Sequence, residues 1–255
     1  GIFFSKISGD NNKIHIDSLY GYNSLFGENV VHGTLLIILI LNKCKFNQLT
    51  KHLKEYSIVI DLKKPIFYDT KIQISNDLKL NKLFKIIQNN TIKSTIIINN
   101  KNINLENRKK FHFKKKLKNK ENKIGINKFK IEKNLFNILC MISKYVGTIY
   151  PGQNSLISKI DINYNIDYSN NNCTFYSKKV RRDLPVINNF INHANYQISF
   201  KSLIRPSLKL NLDVANNKVN LEVKKTTKNI LIIGASSGIG YEALSLYLAN
   251  KKIKI

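Results

Sequence analysis

The chain has 255 residues, a hydrophobic content of 43% and a formal net charge of +26. This length and composition suit a folded protein of one large domain or two modest ones. They argue against a membrane protein, because the longest apolar run, residues 35–41, is too short to span a bilayer. The chain begins on Gly1 and ends at Ile255 in a strand-like run, so we expect it to be a fragment of a longer protein.

The large positive charge does not by itself favour a nucleic-acid-binding protein. The basic residues are nearly all Lys, and Lys, Asn and Ile are enriched together throughout the chain, as AT-rich coding sequence produces. Nucleic-acid readers usually depend on Arg for bidentate contacts, and Arg occurs only at positions 108, 181, 182 and 205. We therefore predict no nucleic-acid partner; the charge would instead attract a phosphate-bearing substrate. A nucleic-acid binder stays an alternative, and it predicts affinity that is sensitive to salt.

Cys44, Cys140 and Cys173 are odd in number, far apart and without metal-ligand spacing. Such cysteines are typical of reduced, mostly buried thiols in a cytosolic protein. No signal peptide is visible. The prediction is a cytoplasmic protein that does not bind to a membrane and carries no metal.

The first half of the chain predicts one buried helix followed by antiparallel strands. Residues 30–43 are apolar on nearly all faces, and their length favours a helix although their β-branched content would allow a strand. Thr34 is a candidate cap for its first turn. Before this helix, residues 1–29 are punctuated by Gly, Asn and Asp. Alternating apolar and polar runs with Asn-rich turns predict strands at 56–62, 70–77, 82–90 and 93–100.

The same pattern recurs after a Lys-rich break. Residues 106–123 are predicted to be a linker, because a run of like charges rarely packs. A second helix is then expected over 134–152. Strand-like runs follow at 155–166, 173–180, 195–204 and 208–214.

A carboxylate and an imidazole lie close together in the stretch SGDNNKIHID, residues 8–17. A loop that directs Asp10 and His15 to one point would hold an acid–base pair, because His has a pKa near neutrality and a nearby Asp can orient or share the proton. Gly9 lets the backbone bend, and Asn12 can tie the loop by side-chain to backbone bonds. The composition alone equally fits an ordinary polar turn.

Residues 32 and 33, His-Gly, supply a second part of the candidate site. A glycine at the amino end of a buried helix leaves its N–H free, with the helix dipole behind it. The Gly33 N–H is therefore a candidate donor to a carbonyl oxygen that gains negative charge.

In order and spacing, FSKISGDNNKIHID and the downstream FGENVVHGTLL resemble the MaoC-like family of (R)-specific enoyl-CoA hydratases and 3-hydroxyacyl dehydratases. The family pattern is roughly F-x-x-x-S-G-D-x-N-P-x-H-x-D, followed by H-G at the start of the hotdog helix. Lys13 stands where the family usually has Pro. The match covers about the first hundred residues, and the matching positions are Phe4, Ser8, Gly9, Asp10, Asn12, His15 and Asp17.

The resemblance implies a hotdog fold over residues 1–105 and reversible hydration of trans-2-enoyl thioesters. Asp10 and His15 would be the catalytic pair, and the Gly33 N–H would polarise the thioester carbonyl. The supporting residues would be Ser8, Gly9, Asn12, Asp17 and His32.

The resemblance also implies a second hotdog over residues 124–225, which lacks any D-x-N-x-x-H. This half would be catalytically silent and would complete the sheet. We interpret His193 as structural. The pair Arg181 and Arg182 is a candidate contact for a coenzyme A or phosphopantetheine phosphate, with a solvated strand face as the alternative.

A glycine-rich turn, IGASSGIG, occupies residues 233–240 between a strand-like run and a helix. Such turns hold phosphates at a helix amino terminus. It resembles the cofactor turn of short-chain dehydrogenases/reductases, with Ile233 in place of Thr, and the resemblance implies NAD or NADP as the parent protein's cofactor. Residues 228–255 would be a truncated Rossmann β-α-β start, without the family's downstream catalytic residues. The implied cofactor-binding residues are Gly234, Ser236, Ser237, Gly238, Ile239 and Gly240.

The prediction for the whole chain is an α+β protein: a double hotdog, with an antiparallel sheet wrapped around a central helix twice, followed by the Rossmann start. The predicted reaction needs no cofactor and interconverts enoyl and (R)-3-hydroxyacyl thioesters of coenzyme A or acyl-carrier protein. A homodimer is compatible with this prediction. The alternative is a silent hotdog that binds an acyl thioester or serves as a dimerisation scaffold.

Overall fold

The structure is a computed structural model. The chain separates into two compact units, Gly1–Ser207 and Leu208–Ile255. All described residues belong to the first unit, and the predicted strand 208–214 and Rossmann start 228–255 lie outside them. The structure describes residues 1–77, 82–105, 113–116, 129–169, 173–181 and 183–205.

The described strands form one continuous antiparallel sheet. They are β1 Glu55–Leu62, β2 Gln73–Asp77, β3 Leu83–Gln88, β4 Thr91–Asn99, β5 Phe113–Lys116, β6 Ser155–Asn165, β7 Thr174–Lys179, β8 Val186–His193 and β9 Tyr196–Ile204. The nine strands lie in the order β2-β3-β4-β1-β6-β9-β8-β7-β5. The β1–β6 pair joins the earlier strands to the later ones, with Glu55 opposite Asn165 and Asp61 opposite Lys159.

Helices precede each group of strands. The described helices are α1 Ile2–Ser8, α2 Ser18–Tyr22, α3 Gly33–Lys43, α4 Phe46–Thr50 and α5 Lys133–Lys144. A 3₁₀ turn at Lys13–His15 follows α1, and a π turn at Tyr145–Ile149 continues α5. In the described part of the chain, no helix combines the length and the apolar character that a bilayer crossing requires.

One hydrophobic core holds α3 and α5 against the same face of the sheet. Ile58 and Ile60 of β1, with Ile160 and Ile162 of β6, are fully buried in it. These residues alternate with more exposed ones, as expected when only one face of a sheet is covered. The structure therefore confirms an α+β fold with a large antiparallel sheet packed on a helix, the arrangement of a hotdog.

The later half of the described unit, residues 129–205, repeats the strand order of the earlier half, residues 1–105. α5 is followed by strands placed as β6-β9-β8-β7, which parallels β1-β4-β3-β2 after α3. That the later half is a second hotdog in its own right stays a prediction.

Some local features were missed or wrongly predicted. No element was predicted in the segment 1–29, and it contains α1, the 3₁₀ turn and α2. Thr34 does not cap α3: His32 is the N-cap residue, and the Thr34 hydroxyl has no hydrogen-bond partner. The Asn-rich strand β8 escaped the alternation pattern because polar residues occupy buried positions.

The Lys-rich break also contains a strand, because residues 113–116 pair with β7 as β5. Lysines on an edge strand discourage pairing with other chains, and Lys114 places its ammonium 5.8 Å from the centre of the Tyr176 ring. The remaining residues of the predicted linker, other than this strand, lie outside the described residues.

Candidate active site

A cavity of about 280 Å³ opens between the two halves of the described unit. Its walls come from the segment before α3, the amino end of α3, the loop after β1, the π turn after α5 and the start of β6. The cavity therefore draws on both halves of the chain. Its polar lining residues include Asp10, Asn12, His15, Ser143, Ser155 and Arg205.

Asp10 is a buried carboxylate with both oxygens hydrogen-bonded. Its side chain is 4% exposed. The Asn12 backbone N–H donates to Oδ1 at 3.0 Å, and the Ser143 hydroxyl donates to Oδ2 at 2.6 Å. Burial raises the pKa of Asp10 to about 6, although these two hydrogen bonds lower it. The carboxyl group can therefore take or give a proton near neutral pH.

The end of α1 places Asp10 in the cavity. Gly9 is the C-cap of α1 and adopts the left-handed conformation, with φ of 75°, which a residue without Cβ reaches at little cost. The Ser8 hydroxyl donates to the Phe4 carbonyl and accepts from the Asp10 backbone N–H. That Ser8 and Gly9 support a catalytic loop stays a prediction.

His15 presents one free ring nitrogen to the cavity. Its Nδ1 lies 2.6 Å from the Val30 carbonyl, which can only accept, so Nδ1 carries the proton and Nε2 is left as an acceptor. Burial lowers the pKa of His15 to about 4, so that the ring is neutral at pH 7. The structure brings this ring close to Asp10: one ring nitrogen lies within 4.8 Å of a carboxylate oxygen.

His32 lies behind His15 and is not a cavity-lining residue. The two rings stack with centroids 4.0 Å apart, and the His32 Nδ1 is 3.3 Å from the Tyr68 hydroxyl. The His32 Nε2 is 4.0 Å from Asp10 Oδ2, too far for a hydrogen bond, and it has no other partner. Burial lowers the pKa of His32 to about 2, so this pair is not an ion pair at neutral pH.

Asp10, His15 and His32 are also the residue types that bind metal ions. Their donor atoms lie within 4.8 Å of one another. A tetrahedral zinc site with bonds of about 2.0–2.1 Å needs its donors roughly 3.3 Å apart, and the 4.0 Å separation of His32 from Asp10 exceeds this. We assign no metal to this cluster.

Gly33 is the first residue of α3 and lines the cavity. The first N–H groups of a helix have no intrahelical acceptor, and no side chain caps this end of α3. The Gly33 N–H therefore stays a candidate donor to a ligand in the cavity.

Three contributors from the later half were missed by the sequence analysis. Ser143 bonds to Asp10, Gly147 packs against the Asp10 carboxylate, and the Ser155 carbonyl accepts from Asn12 Nδ2 at 3.2 Å. No motif marks these residues, because small residues in a helix and a strand carry no sequence signal of their own. Only the pairing of the two halves brings them to the site.

The other candidate residues have structural positions. Asn12 caps the 3₁₀ turn and Asp17 caps α2, each by accepting a backbone N–H. Arg181 is exposed and pairs with Asp183 at 2.6 Å, and His193 is buried at the end of β8. Cys140 and Cys173 are buried free thiols, and Cys44 is partly buried. Arg182 and the predicted cofactor turn 233–240 lie outside the described residues, so that the NAD(P) prediction stays a prediction.

Comparisons with known proteins give weak similarities of structure only. No family model matches the chain, and no curated protein matches it. A solved structure described as a MaoC-like dehydratase has a TM-score of 0.47 and 7% identity, covering 80% of this chain and 92% of that one. The dehydratase domain of RzxB from Pseudomonas fluorescens has a TM-score of 0.39 and 8% identity, covering 71% and 87%.

An acyl-ACP thioesterase from Bacteroides thetaiotaomicron is similar at a TM-score of 0.37 and 10% identity, covering 68% of this chain and 90% of that chain. Similarities of this extent assign no reaction to the present chain.

Proposed function

We propose that the cavity catalyses the reversible hydration of trans-2-enoyl thioesters to (R)-3-hydroxyacyl thioesters. The observation that carries this proposal is the pairing of a buried, protonatable carboxyl group, Asp10, with a neutral imidazole, His15, at one cavity wall. The stereochemistry and the thioester class rest on the resemblance of residues 4–17 and 26–36 to the MaoC-like family.

The protonation states suggest how the pair divides its work. His15 is neutral at pH 7, and its Nε2 would accept a hydrogen bond from the attacking water. Asp10, with a pKa of about 6, would exchange protons near neutral pH. In hydration the water oxygen adds to C3 while Asp10 takes one water proton, and Asp10 then delivers that proton to C2. Dehydration reverses these steps, and the pair is unchanged after each turnover.

The thioester carbonyl would be held by the amino end of α3. Addition at C3 places negative charge on this oxygen, and a backbone donor at a helix amino terminus stabilises such charge. Gly33, the first residue of α3, lines the cavity, and its N–H would be this donor. The remaining walls suit an acyl chain, because they include apolar side chains: Leu36, Leu62, Ile66, Val146 and Ile157.

Three cationic side chains are among the described residues that line the cavity. Lys63 and Lys64 are exposed and line the cavity, and Arg205 is half-buried. Asp10 is the single acidic residue among the described residues that line it. Such a charge distribution favours a substrate whose carrier arm ends in phosphate, as in coenzyme A or a phosphopantetheine.

Hydration of crotonyl-CoA tests the proposal, followed as loss of the enoyl-thioester absorbance. We expect the wild-type chain to be active and His15→Ala and Asp10→Asn each to lose about 100-fold or more, since general acid–base groups contribute about 10²–10⁴-fold. Circular dichroism should show that both variants stay folded. A parallel assay for released thiol distinguishes hydration from thioester hydrolysis.

A folded wild-type chain that is inactive on short and long enoyl thioesters would contradict the proposal. Binding of the thioester without turnover would then favour the silent acyl-binding scaffold. Release of free coenzyme A would instead indicate a hydrolase.

A further inference from the structure

Two of the contacts that hold the Asp10 carboxylate come from the end of α5, more than 130 residues later in the chain. Ser143 lies in the last turn of α5, and Gly147 lies in the π turn that follows. This half has no acid–base motif of its own, and the resemblance implied that it would be silent. Its contacts to Asp10 therefore need a separate explanation.

The Ser143 hydroxyl holds Oδ2 of Asp10, the carboxylate oxygen that does not accept from the Asn12 N–H. Asn12 donates to Oδ1 and Ser143 donates to Oδ2, so the carboxylate is held at both oxygens. The Ser143 residue is 3% exposed, and its bond length of 2.6 Å is typical of a charge-assisted hydroxyl–carboxylate bond. A buried serine in a helix usually bonds to a carbonyl one turn earlier, whereas this hydroxyl is directed at a side chain of the opposite half.

Gly147 has no side chain, and the Asp10 carboxylate lies where a Cβ at this position would be. A Cβ at this position would overlap Oδ1 of Asp10, so the carboxylate packs directly on the backbone of the π turn. π turns occur frequently at functional sites. Ser143 and Gly147 therefore contact the two oxygens of the Asp10 carboxylate, Oδ2 and Oδ1 respectively.

We propose that Ser143 is a positioning residue for Asp10, holding Oδ2 so that the carboxylate faces the His15 side of the cavity. This inference rests on the proposed function for its catalytic meaning. The later half is then part of the catalytic apparatus, although no group of it reacts. A hydroxyl that donates to the carboxylate also favours the ionised form of Asp10.

Several titratable and charged groups surround Asp10. On its own half these are His15, His32, Tyr68, the Gly1 amino group, and Lys63 and Lys64 at the cavity wall. From the later part of the chain, the Lys144 side chain lies over Gly9, and Arg205 lines the same cavity. Replacing Ser143 leaves all of these groups in place, so that a change in the protonation of Asp10 reports on the lost hydroxyl.

The experiment compares three variants by ¹³C-detected titration of the Asp10 carboxyl and by the pH profile of crotonyl-CoA hydration. Ser143→Ala should move the Asp10 midpoint upward by about one pH unit, because a hydrogen bond to the charged form is lost. The acid limb of the rate should move with it, giving about a tenfold loss below the midpoint and a smaller loss well above it. Ser143→Thr, which keeps a hydroxyl, should restore both midpoints.

Ser155→Ala is the matched control. Ser155 is also a buried serine on the cavity wall, but its hydroxyl donates to the Val146 and Gly152 carbonyls and not to Asp10. It should leave the carboxyl midpoint unchanged.

An unchanged carboxyl midpoint in Ser143→Ala would overturn the inference, whether or not the chain is an enzyme. A shifted midpoint in a chain without hydratase activity would support the positioning role and reject the proposed function. Equal midpoint shifts in Ser143→Ala and Ser155→Ala would also overturn it, since the shift would then reflect general loosening of the cavity.

Discussion

The amino ends of α3 and α5 occupy comparable places in the two halves, but their backbone donors are treated in opposite ways. The N-cap residue of α3 is His32, whose side chain makes no capping bond, and the next residue, Gly33, faces the cavity. The N-cap residue of α5 is Glu132, whose carboxylate accepts from the Asn134 and Leu135 N–H groups at 2.9 and 2.7 Å.

The two helix ends differ in whether a side chain accepts from their first N–H groups, and this decides whether those groups can bind a ligand. A capped helix end has its donors satisfied and contributes stability, whereas an uncapped end keeps its donors for a ligand. Asp10, His15 and His32 have pKa values displaced by burial, so the earlier half bears a cost in stability where the proposed chemistry resides.

Among substitutions in the later half, the largest effect is expected from Gly147→Ala, which tests whether this half supports the site. The added Cβ would overlap Asp10 Oδ1, so the carboxylate must move from its hydrogen bonds. We expect crotonyl-CoA hydration to fall by about 100-fold, since a displacement of about 1 Å at a reacting group has that effect. Overpacking should also lower the free energy of unfolding by about 1–3 kcal/mol.

A double-mutant cycle with Asp10→Ala isolates the clash in Gly147→Ala. Without the carboxylate, the alanine at position 147 should cost markedly less stability. An equal loss of stability with Asp10 and with Ala at position 10 would show that the added Cβ does not clash with the carboxylate.

Asp10→Asn should stabilise the chain, which sharpens the contrast between the halves. The folded pKa of Asp10, about 6, is above the ordinary value of 3.8, so protonation favours the folded state. The stability that this group provides is fully present below pH 4 and is lost as the pH rises through 6. Denaturant unfolding should therefore show a gain of about 2 kcal/mol at pH 7.5 and little gain at pH 4.

The exposed residue Asp167 offers a matched control for this variant. Asp167→Asn should change the free energy of unfolding by less than about 0.5 kcal/mol at both pH values, as surface substitutions do. A gain for Asp10→Asn that persists at pH 4 would contradict the assignment.

Glu132→Gln should have the smallest effect, and this effect should be on stability and not on activity. The loss of charge weakens the cap of α5 and the bond that Glu132 accepts from the Tyr196 hydroxyl at 3.0 Å. We expect about 1 kcal/mol lower stability, with kcat/KM for crotonyl-CoA unchanged within twofold. A large loss of activity would show that the amino end of α5 also acts on the site.

Much of the described fold could be predicted because its signals are local. The strands β3 and β4 alternate buried and partly buried residues, and Asn pairs at 89–90 and 99–100 mark their ends. The strand β8 could not be predicted, because buried Asn189 and Asn192 break the alternation. Asn189 is tolerated inside because Ser177, Ser202 and backbone carbonyls satisfy its amide, and those partners lie on neighbouring strands.

The candidate site divides in the same way. The Asp10, His15 and Gly33 positions follow from one short motif and its spacing, and the structure brings them to one cavity. The stacking of His32 on His15, and the contacts of Ser143 and Gly147, depend on how the two halves pair. No property of a single segment encodes such contacts.

The pairing of β1 with β6 affects the stage of folding at which the cavity forms. Residues 55–61 of β1 pair with residues 159–165 of β6, about a hundred positions later, and the bond between Asp10 and Ser143 closes a loop of similar length. Pairings of this separation carry a large loop-closure entropy and form slowly. We therefore expect the cavity to be assembled late in folding, and to open first under mild denaturant, so that activity would be lost before the secondary structure of either half.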